Sequence, residues 1–166
     1  MGPGKVKRLV WVGGLSAAAA VLACSSQSSS GGGTSDADVI GCTGQGDVYT
    51  ANMKKPGTMG HLQFVLQSSM PGPPYKGNNT WTVQLLDASG KPLSGAMFTW
   101  LPGDKSVWMP EHGHGSQVTP QVTDNGDGTY AITPLYFFMV GLWQVTLQAT
   151  VNGMTDTAVY TFCVSG

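Results

Sequence analysis

The chain has 166 residues, 8 basic and 9 acidic, and only 10% of it is charged, about 2.5-fold below the usual share. So little charge excludes a long charged helix, a coiled coil and an electrostatically driven nucleic-acid binder.

Lys5, Lys7 and Arg8 precede an apolar run of 15 residues, Leu9 to Ala23. That is short of the roughly 20 a bilayer-spanning helix needs. A basic start, a short apolar stretch and a small-residue end predict a secretory signal over residues 1–23. Val21-Leu22-Ala23-Cys24 resembles the lipobox of bacterial lipoproteins, which implies cleavage before Cys24 and acylation of that cysteine. Acyl chains hold a protein at a membrane at about 0.8 kcal/mol per buried methylene. Cleavage after Ala23 by an ordinary signal peptidase is the alternative, and it leaves Cys24 a free thiol.

Residues 24–38 are Ser/Gly-rich, with Ala37 as the only apolar side chain after Cys24, and predict a disordered tether. From Cys24 onward there are 5 Lys, no Arg and 9 acids, hence a net charge of −4. Phosphate and anionic lipid are poor partners for such a surface, so no nucleic-acid partner is expected. The predicted location is the bacterial cell envelope, lipid-anchored and periplasm-facing or outer-membrane associated.

Residues 39–166 are the size of one domain. Cys42 and Cys163 stand at its two ends, 121 residues apart. In an oxidising compartment they predict a structural disulfide, and a spacing so unlike C-x-x-C argues against a redox role. Between them the apolar period is two. Leu62, Phe64 and Leu66 alternate with polar residues, as do Trp81, Val83 and Leu85. A turn at Asp87-Ala88-Ser89-Gly90 precedes Ala96, Phe98 and Trp100, and Val107 begins a shorter piece that Pro110 interrupts. Gln117–Thr123 leads into Asn125-Gly126-Asp127-Gly128, a strong turn signal, followed by Tyr130 and Ile132. Trp143, Val145, Leu147 and Ala149 alternate, Asn152-Gly153 turns the chain, and Ala158, Tyr160 and Phe162 alternate again. About seven short strands without a helical period predict an all-β, immunoglobulin-like sandwich of two sheets.

Val122–Tyr130 followed by Gly141–Thr146 resembles the turn-and-strand signature of bacterial and filamin-type immunoglobulin-like repeats, which marks a fold and no activity. A second resemblance is carried by four pieces in order: Pro73–Asn78, Trp81–Val83, Asp87–Ala96 and Met109–Gly115. Together they are similar to the YtkA-like (FixH-related) domain of bacterial envelope proteins, over roughly residues 60–150. That resemblance implies a sandwich outside the cytoplasmic membrane and a part in copper handling or oxidase assembly. The lipid anchor stands where FixH-type members carry a transmembrane helix, a departure that weighs against oxidase assembly.

One constellation carries chemistry. Met109-Pro110-Glu111-His112-Gly113-His114 holds two of the three histidines. Residues i and i+2 of an extended chain point the same way, roughly 6–7 Å apart, so two imidazoles can converge on one ion. With the thioether of Met109, His112 and His114 form a set suited to a copper ion, particularly Cu(I). Zinc on His112, His114 and Glu111 is the competing choice; a solvent-exposed loop without metal is the plain one. Met53, Met59 and His61 form a second His/Met cluster, for which packing at a strand entrance is the first reading. Trp100 and Trp108 border the loop and belong to core or rim.

No nucleophile elbow, no phosphate-binding glycine loop and a single Glu leave little for catalysis, so no enzyme is expected. The expected protein is a copper-sequestering or copper-delivering envelope lipoprotein, with the membrane and an envelope partner as its contacts. A metal-free immunoglobulin-like interaction module is the alternative.

Overall fold

A computed structural model of the chain describes Gly2 and residues 41–166. The expected signal over 1–23, the lipid-bearing Cys24 and the tether over 24–38 otherwise lie outside the described residues. Ten strands follow in order: β1 Met53–Pro56, β2 Leu62–Met70, β3 Gly77–Asp87, β4 Met97–Thr99, β5 Val107–Met109, β6 His114–Gly115, β7 Gln121–Asp124, β8 Thr129–Phe137, β9 Gly141–Val151 and β10 Met154–Val164. One antiparallel sheet runs β1-β2-β3-β8-β7; the other runs β10-β9-β5-β6, with β4 also paired to β9. Among the described residues no helix is long and apolar enough to cross a membrane.

The all-β sandwich is what the alternation anticipates. Seven strands have four residues or more, and three have only two or three. Alternating side chains from the two sheets meet in the core: Leu62, Phe64, Leu66, Trp81, Val83 and Leu85 from one, Trp143, Val145, Leu147, Tyr160 and Phe162 from the other. The stretch around Phe98 expected over Ala96–Trp100 is strand only at Met97–Thr99, and β1 carried too little alternation to be anticipated.

The turns use their local side chains. Asp87 Oδ1 accepts from the Ser89 hydroxyl at 2.6 Å, Lys91 N at 2.9 Å and Ser89 N at 2.8 Å, and these bonds, the hydroxyl's first, hold its pKa below the ordinary aspartate value. The loop Asn125–Gly128 joins β7 to β8, with Asp127 Oδ1 accepting from Thr129 N at 2.9 Å. Its one carboxylate serves the hairpin. Asn152 and Gly153 both take positive φ, 52° and 75°, as a two-residue hairpin loop requires.

The outer edge of β10 is covered by three separate devices. Asp47 exchanges bonds with Thr161, its N donating to Thr161 O at 2.6 Å and its Oδ2 accepting from Thr161 N at 2.8 Å. Lys55 Nζ, ion-paired with Asp47, donates to Val159 O at 2.8 Å, and Thr58 N donates to Thr157 O at 2.9 Å. An edge so occupied offers no template for another strand. Cys42 and Cys163 form the expected disulfide, Cα to Cα 5.5 Å, which ties the start of the sandwich to this same strand.

Tyr160 links the two sheets: its hydroxyl donates to Phe64 O at 2.9 Å, and its ring meets Trp81 edge-on at 5.7 Å. Burial pushes the phenol well above its usual pKa, so it stays a neutral donor. Tyr160→Phe therefore lowers stability by about 1 kcal/mol, measured as a shifted urea midpoint with unchanged slope.

Candidate metal centre

The Met-Pro-Glu-His-Gly-His segment is a hairpin at one end of the sandwich. β5 pairs with β9 through Val107↔Val145 and Trp108↔Gln144, and β6 pairs with β5 through Trp108↔Gly115 and Met109↔His114. Residues 110–113 form the loop. Met109 O accepts from His112 N at 3.2 Å and from Gly113 N at 3.0 Å. Gly113 takes φ +67°, the left-handed torsion that turns the chain back into β6. The expectation of an extended chain is therefore corrected: a turn, not a strand, carries His112 back over His114. The two rings lie 5.6 Å apart, centroid to centroid, inclined by 33°.

The three candidate ligands differ in depth. His112 is exposed, His114 half-buried and Met109 wholly buried. Directly opposed residues of an antiparallel pair share a face with Cβ atoms roughly 5 Å apart, so Met109 and His114 lie on the same side of β5 and β6. His114 Nδ1 is shut off from water and has no hydrogen-bond partner. An unmet buried nitrogen costs about 1–3 kcal/mol, which a ligand at that atom relieves. His114 also lines a cleft of about 490 Å³ together with Gln117, Val118, Tyr136 and Phe138.

Trp100 and Trp108, which the sequence placed in core or rim, are both half-buried. Trp108 alternates with Val107 and Met109 and so faces away from the ligand side, and Trp100 lines a groove with Pro120 and Val122. The aromatic ring against His114 is that of Phe138, 5.2 Å away. It lies in the crossover Phe138–Val140 between β8 and β9. Three aromatics in succession, Tyr136-Phe137-Phe138, break the alternation there, and that break was the available signal. Gly115 also has a role beyond flexibility, because a Cβ there would run into the Asp104 carbonyl of the preceding loop.

The second His/Met cluster does not join the first. Met53 pairs with Leu66 and packs on the core, Met59 is 67% exposed, and His61 is exposed in the turn before β2. Met59 N and His61 N each donate to Asp156 at 2.8 Å, and Asp156 pairs with Ala149. The hairpin sits beyond Gln144 on β9, about 20 Å away at the rise of a strand. Among the described residues no group of three or more His, Cys, Asp and Glu side chains converges. The hairpin itself brings together two imidazoles 5.6 Å apart, with Met109 in register opposite His114.

A family model described as YtkA-like matches residues 58–148. The chain belongs to the YtkA-like family. No curated protein and no solved structure matches it. The YtkA-like match takes in β2 to β8 and most of β9, so the histidine hairpin and its Phe138 neighbour fall inside it. Strand β10 and the disulfide fall outside.

Proposed function

We propose that this YtkA-like protein binds a copper ion through His112 and His114, with Met109 as third ligand, and sequesters copper or passes it to another envelope protein. One observation supports this reading above the others: His114 Nδ1 is buried without a partner, next to the His112 ring and opposite Met109. Two imidazoles and a thioether are borderline and soft donors, the set that Cu(I) accepts and Mg²⁺ or Ca²⁺ does not. The chain's own part is to present these donors on a hairpin whose His112 is open to solvent, which suits exchange. In the same reading Cys24 carries the lipid anchor, the protein faces the periplasm or lies at the outer membrane, and it is no enzyme.

The test is a titration of the full chain, in mild detergent, with Cu(I) against a chromophoric chelator. One equivalent binds, and His112→Ala with His114→Ala weakens binding at least 100-fold, as loss of two of three ligands demands. An affinity no weaker in the double variant overturns the assignment. Zinc on His112, His114 and Glu111 is separated by Met109→Leu, which weakens copper binding and spares zinc.

A metal-free interaction module is the second reading. It draws on the open groove of about 430 Å³ between β4 and β7, lined by Met97, Phe98, Trp100 and Val122, with Met97 71% exposed. Thermal melts decide between the two. Copper at a hundred times its dissociation constant stabilises a binder by about 2.7 kcal/mol, and a metal-free module melts unchanged.

A further inference from the structure

We infer that the β8–β9 crossover is the positioning platform of the copper hairpin, with Gly141 seating the Met109 thioether and Phe138 backing the His114 imidazole. This rests on the copper reading and adds residues that contribute no ligand atom. Gly141 opens β9 at φ +132°, and a Cβ there would overlap the Met109 Cε methyl. The missing side chain is thus the space the terminal methyl of Met109 occupies. Met109 is fully buried, so its flexible chain has few other places to go, and its register partner across the hairpin is His114.

Phe138 acts on the second ligand. Its ring lies 5.2 Å from that of His114 at 32°, nearly the tilt His114 makes with His112. The crossover is itself clamped. Trp143 Nε1 donates to Met139 O at 2.9 Å, and the Trp143 ring meets Phe138 at 5.3 Å edge-on and Phe137 at 5.4 Å. Trp143 is wholly buried, so the platform is rigid where it touches the hairpin. Rigid support around ligands is what sets metal affinity, and its loss commonly weakens binding 10–100-fold. A methionine is otherwise the most adaptable of core side chains, and at Gly141 it finds room for its terminal methyl.

The experiment compares Cu(I) affinity, by chelator competition on the full chain, across wild type, Met109→Leu, Gly141→Ala, the Met109→Leu/Gly141→Ala double variant and Phe138→Leu. Gly141→Ala is expected to weaken binding about 10–100-fold. In the Met109→Leu background it changes affinity by less than about threefold, because the sulfur it displaces is already gone. A Gly141 that mattered only for folding lowers affinity by the same factor in both backgrounds, and that result overturns the role. Phe138→Leu keeps an apolar side chain at a half-buried site and covers the case of a Gly141→Ala chain that does not fold. It weakens binding about tenfold and moves the His114 ring-proton resonances; an unchanged affinity overturns the platform. A wild-type chain that takes up no Cu(I) overturns this inference together with the copper reading, whereas wild-type binding with flat variants overturns this inference alone.

Discussion

Replacing Cys42 and Cys163 together by serine lowers the unfolding free energy by about 4–5 kcal/mol, the chain-entropy value for so long a loop. The bridge closes 121 residues, which is nearly the whole described sandwich. Its benefit arises in the unfolded chain, where the cross-link removes conformations, more than in any native contact. The bridge also joins the segment that caps β10 to β10 itself. Cys163 neighbours Phe162 and the Thr161–Asp47 exchange, so a severed bridge frees Gly41–Asp47 to peel from the strand. A domain of this size has only about 5–15 kcal/mol to lose. The measurement is a urea midpoint for the double variant against wild type, both oxidised. A loss below about 1 kcal/mol shows that the unfolded chain was already compact. Reducing agent gives wild type the midpoint of the variant and leaves the variant unchanged.

The fold was legible because period-two alternation and turn chemistry are local. Trp81-x-Val83-x-Leu85 and Trp143 through Ala149 sit in the structure as their spacing required, all inward, and Asn152-Gly153 turns as its torsional needs dictate. What could not be read was everything set by distant strands. β1 became a strand because β2 offered it an edge, with Met53 opposite Leu66; nothing in Met-Lys-Lys-Pro required it. The histidine pair shows the same division. That His112 and His114 lie together followed from their separation, but the means did not: Gly113 in the left-handed region and the Met109 carbonyl fold the loop back. Phe138, 24 residues further along, reaches His114 only because the chain crosses between sheets at that end of the sandwich. Asp156 was the largest omission. A lone aspartate between threonines in Met154-Thr155-Asp156-Thr157 reads as a solvated strand residue, and it is 1% exposed.

That aspartate carries the second large prediction: Asp156→Asn lowers stability at neutral pH by about 2–4 kcal/mol, and the deficit shrinks as pH falls below about 4. Its carboxylate is a hub for the turn before β2. Oδ1 accepts from Met59 N and Thr157 N, each at 2.8 Å, and Oδ2 accepts from His61 N at 2.8 Å and Leu62 N at 3.0 Å. The chain had to make room for it, since a Cβ on Gly57 would strike the carboxyl group. Asparagine keeps the shape but turns one acceptor oxygen into an NH₂ donor facing two N–H groups, so two backbone donors lose their partner whichever way the amide is flipped. Burial alone pulls the Asp156 pKa upward, yet the bonds from Met59, Leu62, Thr157 and His61 outweigh it and hold the group below the ordinary value of 3.8. The stability it contributes is therefore complete above the unfolded-state value and is lost as pH descends through the folded one. Between those two values the unfolded chain binds a proton that the folded chain refuses, which costs at most about 1.4 kcal/mol per pH unit. Asp87 and Asp127 are depressed as well, so wild type alone cannot isolate the effect, and the difference between wild type and Asp156→Asn does. Urea unfolding of both at pH 7 and at successive steps down to about pH 3 gives converging midpoints. Midpoints that run parallel over that range show that Asp156 does not titrate with folding, and an equal midpoint at pH 7 removes its part in holding the turn.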